Sequence, residues 1–234
     1  MAYEYRTIDV VLPVRGETVK IQETNAFSEQ GMFKEGLTGI EGIVDYWVSS
    51  IKAIGENTSP TRKDFYDLTE PDRVFISIEN FKVSISDTIL LTGPCAGCGE
   101  SANFEVPLNS LDLIPIPDGA TPPDPLFTIT LPRTKHVVIF GYRTGHQELE
   151  EMSNSEFNPS KTVWRAIRSV DGKTNVKLQE IMAWPMADHI ALRREVLSKQ
   201  CGYDTRVKFV HSCGRRLTMN LISDPSFLTP GLAW

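Results

Sequence analysis

The 234-residue chain lacks both a long hydrophobic run and an excess of positive charge. Since it has no stretch of about 18 apolar residues, the sequence predicts no membrane-spanning helix. Its 30 acidic residues outnumber the 24 basic ones, giving a net charge of −6. This balance disfavours a non-specific nucleic-acid binder, because such binding depends on Lys and Arg neutralising phosphates. It also disfavours a polybasic protein of the membrane surface. We therefore expect no nucleic-acid partner and no membrane partner.

The sequence motifs of the common enzyme classes are absent as well. There is no GxGxxG, P-loop, HExxH or GxSxG motif. Asp67, Asp72 and Asp87 do not form a carboxylate pair that helix periodicity would place on one face. No set of residues supplies a nucleophile, a base and an orienting group, so the sequence predicts a protein that is not an enzyme. Residues 1–6 lack the apolar segment of a secretory signal, which favours an intracellular protein.

Cysteine is scarce and unevenly spaced. The chain has four cysteines, Cys95, Cys98, Cys201 and Cys213. A disulfide-stapled secreted scaffold would carry more of them, more evenly spread. In an intracellular protein, two cysteines three positions apart are typical of a metal site or of redox chemistry.

The first half of the chain shows alternating β-branched residues followed by helical periodicity. The turn at residues 13–16 separates two alternating segments, which predicts a β-hairpin. Apolar residues recur at spacings of three and four over 40–54, which predicts one helix ended by Gly55 and Asn57. Thr69 is the expected N-cap of the next helix. The predicted elements are hairpin strands over 7–12 and 18–21, helices over 40–54 and 69–82, and strands over 88–91 and 104–108.

The second half repeats this pattern weakly after a proline-rich stretch. Residues 114–125 contain five prolines and predict a linker between an N-terminal half, 1–113, and a C-terminal half, 126–234. Leu12-Pro13 in the first hairpin matches Leu131-Pro132 in the second, so we consider an internal duplication. Residues 144–147 fit a capping box before an acidic helix. The other predicted elements are hairpin strands over 126–132 and 136–140, helices over 163–170, 176–184 and 186–200, and strands over 207–210 and 217–221.

The strongest local signal is the Cys-x-x-Cys-Gly segment at residues 95–99. Two thiolates three positions apart, followed by a glycine that permits a tight turn, are typical of half a zinc knuckle. His211 and Cys213-Gly214 form a second such step between two predicted strands. We therefore predict a structural zinc site with the ligands Cys95, Cys98, His211 and Cys213. The 115 positions from Cys98 to Cys213 far exceed the about 15–20 of a compact ribbon, so either the second half of the chain is inserted between the two knuckles or the knuckles share no metal.

Two other interpretations of these cysteines remain open. One is a pair of reduced structural thiols with an unrelated buried Cys213. The other is a redox Cys-x-x-Cys pair, although such pairs prefer a helix N-terminus and the residues after Cys98 predict a strand. The remaining candidates are predicted to be structural rather than functional: Cys201 at a helix end, His136 in a strand, His146 in a capping turn and His189 in a helix.

Several short motifs follow one another in a fixed order over residues 6–228. They are Leu12-Pro13, Leu68-Thr69 with Asp72-Arg73, the Cys95–Gly99 knuckle, Val106–Leu108, Phe127–Pro132, Arg143–Gly145, Ser169–Gly172, Cys213-Gly214 and Asp224–Phe227. In this order they resemble the T4-type bacteriophage baseplate protein family, whose members are baseplate hub or hub-assembly proteins of contractile tails. Each motif alone is unspecific, and their order carries the resemblance.

The resemblance implies a zinc ribbon, because the family typically has a Cys-x-x-Cys pair in both knuckles. This sequence departs from that pattern, since Val210 stands where the first cysteine of the second pair would fall and His211 comes one position later. An imidazole is also an acceptable zinc ligand. Cys201 falls where the family often has a small turn residue.

We expect an α+β protein with two hairpin-plus-helix halves joined through a zinc ribbon-like unit built from the two distant knuckles. The resemblance implies a non-enzymatic structural or assembly component of the baseplate hub, present in the virion tail and assembled in the host cytoplasm. Its expected partners are other baseplate, hub or tape-measure proteins, and it would be present in several copies within a symmetric assembly. The alternative function is a zinc-ribbon adaptor in transcription or another intracellular complex, for which a basic face would be evidence.

A protein without catalytic residues acts through its surfaces. The segment 227–234 contains four large apolar residues, Phe227, Leu228, Leu232 and Trp234, and no charge. Since such a patch is unfavourable in water, we expect it to dock, either on its own domain or on a neighbouring baseplate subunit. The proline-rich stretch 114–125 is the other candidate contact surface.

Overall fold

The computed structural model describes residues 3–30, 39–152 and 159–223. The C-terminal segment that we expect to dock on a protein surface lies outside these residues. The first half contains β1 Thr7–Val11, β2 Thr18–Gln22, α1 Ala26–Gln30, α2 Gly39–Ser50, β3 Ile51–Ile54, α3 Arg62–Asp67, α4 Glu70–Ser84, β4 Thr88–Pro94, β5 Ser101–Pro107 and β6 Leu113–Ile114. The second half contains β7 Leu126–Thr130, β8 Val137–Gly141, α5 Gly145–Met152, α6 Pro159–Ala166, β9 Ile167–Val170, α7 Leu178–Met182, α8 Met186–Ser198, β10 Gly202–Tyr203, β11 Arg206–Val210 and β12 Arg216–Asn220.

The predicted α+β class is confirmed, with small antiparallel sheets and short helices. Both predicted hairpins form, and each gains a third strand, giving the sheets β1-β2-β3 and β7-β8-β9. In β2, Val19 and Ile21 are buried while Lys20 between them is exposed, so the sheet buries one face. Among the described residues, no helix is long and apolar enough to cross a bilayer.

Two predicted helices end earlier than the periodicity indicated. The helix expected over 40–54 stops at Ser50, and the one expected over 163–170 stops at Ala166. In both places the last four residues form a strand that pairs with the preceding hairpin. In a short segment, apolar residues at spacings of three are compatible with a helix or with a strand. The strand forms here because it can pair with the free edge of the preceding hairpin. The helix expected over 176–184 is also shorter, covering Leu178–Met182.

Apart from the two-residue strands β6 and β10, the two halves share one order of elements: two strands, two helices, a strand, two helices and a two-stranded ribbon. Their hairpin turns agree in detail. The Gly16 N–H donates to the Leu12 carbonyl at 3.0 Å, and the Lys135 N–H donates to the Leu131 carbonyl at 3.2 Å. Gly16 has φ of 69° and Lys135 has φ of 63°. The considered duplication is therefore visible as repeated topology and repeated turn geometry.

A buried aspartate holds each hairpin turn against the helix behind it. Asp72 in α4 accepts a hydrogen bond from the Val14 N–H at 2.8 Å. Asp188 in α8 accepts from the N–H groups of Arg133 and Thr134 at 2.8 and 2.9 Å. Each carboxylate takes up turn amides that would otherwise have no partner, which fixes the angle between hairpin and helix.

The halves touch through an ionic cluster and a close backbone contact. Glu148 of α5 pairs with Arg73 of α4, and Arg143 binds Glu70 at 2.7 Å. Burial raises the pKa of Glu148. A Cβ on Gly145 would lie 2.9 Å from the Tyr66 Cα, so this approach requires glycine. The short strands β6 and β10 also pair across the two halves.

Candidate metal centre

The two knuckles are built alike but differ in length by one residue. In the first, the Cys95 N–H donates to the carbonyl of Glu100; in the second, the His211 N–H donates to the carbonyl of Arg215, both at 2.8 Å. These bonds enclose four residues in the first turn and three in the second. His211 therefore takes the structural place of Cys95, although it stands one position late in the sequence. Because the second turn is one residue shorter, the one-position shift of His211 in the sequence does not move it out of the place that Cys95 has in the first knuckle.

The two ribbons stack face to face, which brings the knuckles together. The rings of Phe104 in β5 and Phe209 in β11 are stacked with centroids 4.5 Å apart. At the matching place, a Cβ on Gly93 of β4 would lie 3.1 Å from the terminal methyl of Met219 in β12. The two contacts are reciprocal: the first pairs β5 with β11, and the second pairs β12 with β4. The ribbons are thus related by an approximate two-fold axis, and their tips meet at one point.

At that point the four predicted ligands lie together. All four ligand atoms of Cys95, Cys98, His211 and Cys213 are within 4.8 Å of one another. The Cys95 and Cys213 sulfurs are 3.7 Å apart. The His211 Nδ1 lies 3.5 Å from the Cys98 sulfur and 3.2 Å from the Cys213 sulfur. The four residues are close enough to bind a metal ion.

Two of these three distances are close to those of a tetrahedral zinc site. Zn–S bonds of about 2.3 Å and Zn–N bonds of about 2.0–2.1 Å place two sulfurs about 3.8 Å apart, and a sulfur and a nitrogen about 3.6 Å apart. The 3.7 Å between the Cys95 and Cys213 sulfurs and the 3.5 Å between the Cys98 sulfur and the His211 Nδ1 are close to these values, and the 3.2 Å between the Cys213 sulfur and the His211 Nδ1 is shorter. The donor set of three thiols and one imidazole also suits zinc.

Backbone amides of the first knuckle favour the thiolate form of one sulfur, which is the form that binds a metal cation. The N–H groups of Cys98 and Gly97 donate to the Cys95 sulfur and lower the pKa of its thiol to about 7. The pKa of Cys98 is raised: the Glu100 N–H lowers it, but desolvation and the neighbouring Cys95 and Cys213 sulfurs outweigh that bond. Cys95 is buried, whereas the Cys98 and Cys213 side chains are exposed, so the site is open to entry of an ion from solvent.

The local structure favours the metal interpretation over the redox one. Strands β4 and β5 flank the cysteine pair, so no helix N-terminus acts on either thiol. The Cys95 sulfur has the sulfur of Cys213, in the other knuckle, as a neighbour at 3.7 Å, which is expected of a shared metal site rather than of an isolated Cys-x-x-Cys pair. The second ring nitrogen of His211 faces the Ser212 hydroxyl at 3.5 Å, an outer contact of the kind that orients metal-binding histidines.

The remaining cysteine and histidines lie outside this cluster. Cys201 follows α8, is buried near Tyr142, and has its pKa raised to about 11 by burial. His146 lies 3.0 Å from Asp67 at the contact between the halves. Two further histidines have structural surroundings: His136 pairs with Asp171 at 2.6 Å, and His189 is buried beside Trp184.

Comparison of the chain with family models, with curated proteins and with solved structures finds no match. The function must therefore be argued from the metal centre, from the surfaces around it and from the order of the sequence motifs.

Proposed function

We propose that Cys95, Cys98, His211 and Cys213 bind one zinc ion with a structural role. The observation that carries this proposal is the convergence, within 4.8 Å, of four ligand atoms supplied by knuckles 113 residues apart. Four protein ligands leave no coordination position for a substrate, which is the arrangement of structural zinc sites rather than catalytic ones. The ion would fasten the second half of the chain to the first.

Around this centre, the function we propose is that of a non-enzymatic structural or assembly component of a contractile-tail baseplate hub. The ordered motifs over residues 6–228 support this proposal through their resemblance to the T4-type baseplate family. A metal site in which protein ligands fill all four coordination positions has no catalytic position, and this supports a role through protein–protein contacts. On this proposal the chain is a multi-copy virion protein that binds other baseplate, hub or tape-measure proteins after assembly in the host cytoplasm.

One surface favours the second candidate, a zinc-ribbon adaptor of another intracellular complex. The exposed face of the ribbon β11–β12 carries Arg206, Lys208 and Arg216, and residues 206–220 contain no acidic side chain. Arg206 is paired with Asp204 at 2.9 Å, which leaves Lys208 and Arg216 as the stronger contributors to this face. A basic ribbon suits an acidic surface on the partner of such an adaptor.

The metal proposal is tested with the purified, reduced protein. Elemental analysis should find about one zinc per chain, because all four ligands come from one chain. Replacement by Co²⁺ should give the visible absorption of a tetrahedral site with thiolate ligands. Cys98→Ser should abolish this spectrum, while the matched control Cys201→Ser should preserve it. A metal-free protein that keeps its full stability would contradict the proposal.

The assembly proposal is tested in the cell that encodes the chain. A tagged chain should co-purify with particles of tail or baseplate size, and mass spectrometry should find tail proteins at fixed ratios to it. His211→Ala should reduce this incorporation, whereas Cys201→Ser should not. Association with the transcription machinery, lost on Lys208→Glu, would instead establish the adaptor. That outcome would leave the zinc proposal intact.

A further inference from the structure

A groove of about 400 Å³ lies between helix α8 and the chain that follows it. This volume is within the range of about 300–1,000 Å³ that is typical of binding pockets. Its walls are mainly apolar and include Val74, Phe127, Val163, Val196, Leu197 and Ile222. Its charged lining residues are Arg143, Arg193, Lys199 and Arg206 together with Glu70 and Asp204, so basic residues are in excess.

The groove results from a difference between the two halves. In the first half the ribbon β4–β5 covers α4, and Ile78 and Phe81 are buried against its strands. In the second half the ribbon β11–β12 leaves α8 to stack on the first ribbon, and Leu221 joins the hydrophobic cluster of the first half. Among the described residues, the second half's own cluster contains none from β11 or β12. Leu197 of α8 consequently remains 54% exposed.

We propose that this groove binds the apolar C-terminal segment, residues 224–234, of the same chain. Asn220 and Ile222, near the end of the described chain, already line the groove. Phe227 follows Ile222 by five residues, a span of at most about 16–18 Å. The segment therefore begins beside the groove and does not have to cross the molecule to enter it.

The chemistry of the segment matches that of the groove. Its apolar residues suit walls that α8 and the preceding sheet leave uncovered. Its single charged side chain is that of Asp224, which directly follows Ser223, the last residue that the structure describes. The Arg193 Nε in the groove wall is buried and has no hydrogen-bond partner in the described part of the chain. An acidic or carbonyl oxygen from the segment would satisfy this donor.

The first test uses a chain truncated after Ser223 and a peptide of residues 224–234. The truncated chain should bind the peptide saturably, as measured by fluorescence anisotropy of a labelled peptide. Leu197→Glu in the truncated chain should weaken binding by about tenfold or more, because it places a charge in the apolar wall. Met186→Glu is the matched control, since Met186 lies on the same helix, is 69% exposed and does not line the groove.

The untruncated chain should bind this peptide much more weakly, because its own segment occupies the groove. Equal binding by both chains, or no binding by a folded truncated chain, would overturn the proposal. A dimer that becomes a monomer on truncation would also overturn it, since the segment would then bind a second copy. All three outcomes are independent of the zinc content and of the baseplate proposal.

The second test uses the full chain and does not depend on the truncated form. Leu197→Glu and Phe227→Ser should each lower Tm. The double variant should have about the same Tm as the less stable of the two single variants, because both substitutions remove the same contact. Met186→Glu and Phe227→Ser should instead have additive effects. Additivity in both pairs would show that Phe227 does not lie against Leu197, and the proposal would fail.

Discussion

The two halves of the molecule share a framework and differ at its end. Both halves fold a hairpin, a third strand, paired helices and a ribbon, with the same turn and the same buried aspartate. The first ribbon covers the helix of its own half, whereas the second ribbon leaves its helix and stacks on the first. The comparison shows that a repeated unit need not pack twice in the same way. Here the knuckle pair gives the second ribbon a different partner.

The two knuckles also share a framework, but they differ in their ligands and in the length of their turns. The first holds two cysteines, and the second holds a histidine and a cysteine in a turn shorter by one residue. The histidine reaches the shared site because shortening the turn moves it into the place of the first cysteine. The shorter turn and the different ligand type thus occur together in the second knuckle.

The largest expected effect comes from breaking the metal link between the halves. Cys213→Ser should lower Tm by about 10 °C or more, because a missing ligand costs the binding free energy that supports folding. Cys201→Ser, at a buried thiol outside the cluster, should have a much smaller effect. Thermal unfolding followed by circular dichroism measures both. Equal losses would show that the two cysteines had been given the wrong roles.

His211 offers a sharper version of the same experiment. His211→Cys should keep about one zinc per chain, because a thiolate at this position completes a four-cysteine site. His211→Gln should lose the metal. If His211→Cys lost the metal as well, the shorter second turn would not place residue 211 as Cys95 is placed.

A smaller loss is expected where the two halves approach most closely. Gly145→Ala should destabilise the protein by about 1–3 kcal/mol, because the new methyl meets the Tyr66 backbone, which cannot move aside. Gly97→Ala is the matched control. There the methyl would lie 2.6 Å from the Cδ of Arg215, and a rotation within that flexible side chain can move the Cδ away. Urea denaturation of both variants gives the difference, and equal losses would contradict the rigid contact at Gly145.

The two buried aspartates should respond to pH with opposite signs. Burial raises the pKa of Asp188, but hydrogen bonds from the Arg133 and Thr134 N–H groups outweigh it, and the pKa lies below the ordinary 3.8. Burial dominates at Asp72 and raises its pKa, despite the bonds from Val14 and Thr69. The stabilisation by Asp188 is therefore present above the unfolded pKa and is lost as the pH falls through the folded one. The contribution of Asp72 is present below the unfolded pKa and is lost as the pH rises through the folded one.

The variants Asp188→Asn and Asp72→Asn turn this difference into a measurement. The stability deficit of Asp188→Asn should be full above about pH 4 and should shrink as the pH falls further. The deficit of Asp72→Asn should be largest at low pH and should shrink as the pH rises. Urea denaturation from about pH 3 to pH 7 follows both deficits. Parallel curves would mean that the aspartates have the same surroundings in solution.

The smallest effect is expected in the hairpin turns. Lys135 adopts the left-handed conformation that Gly16 adopts in the first half. Lys135→Gly should therefore stabilise the protein by up to about 1 kcal/mol, and Gly16→Lys should destabilise it by a similar amount. Thermal unfolding resolves shifts of this size. A loss of stability in Lys135→Gly would show that the lysine side chain contributes more than the strain costs.

Much of the local structure could be predicted because it depends on neighbouring residues. The hairpins follow from alternation around short turns, and α4 follows from Thr69, Pro71 and Asp72 at its start. The strands Ile51–Ile54 and Ile167–Val170 were predicted wrongly as helix. Their state depends on a hairpin edge about 30 residues earlier in the chain, which periodicity within the segment does not report.

The chemistry of the metal centre follows from the amino-acid sequence alone, since the sequence specifies which residues have thiol or imidazole groups and that a glycine follows each cysteine step. That Cys95, Cys98, His211 and Cys213 lie within 4.8 Å of one another depends on the folded chain. Ribbon stacking between Phe104 and Phe209 brings them together, across a separation that no local pattern encodes. The groove beside α8 depends still more on tertiary structure, since its walls come from several elements that approach one another only in the folded chain.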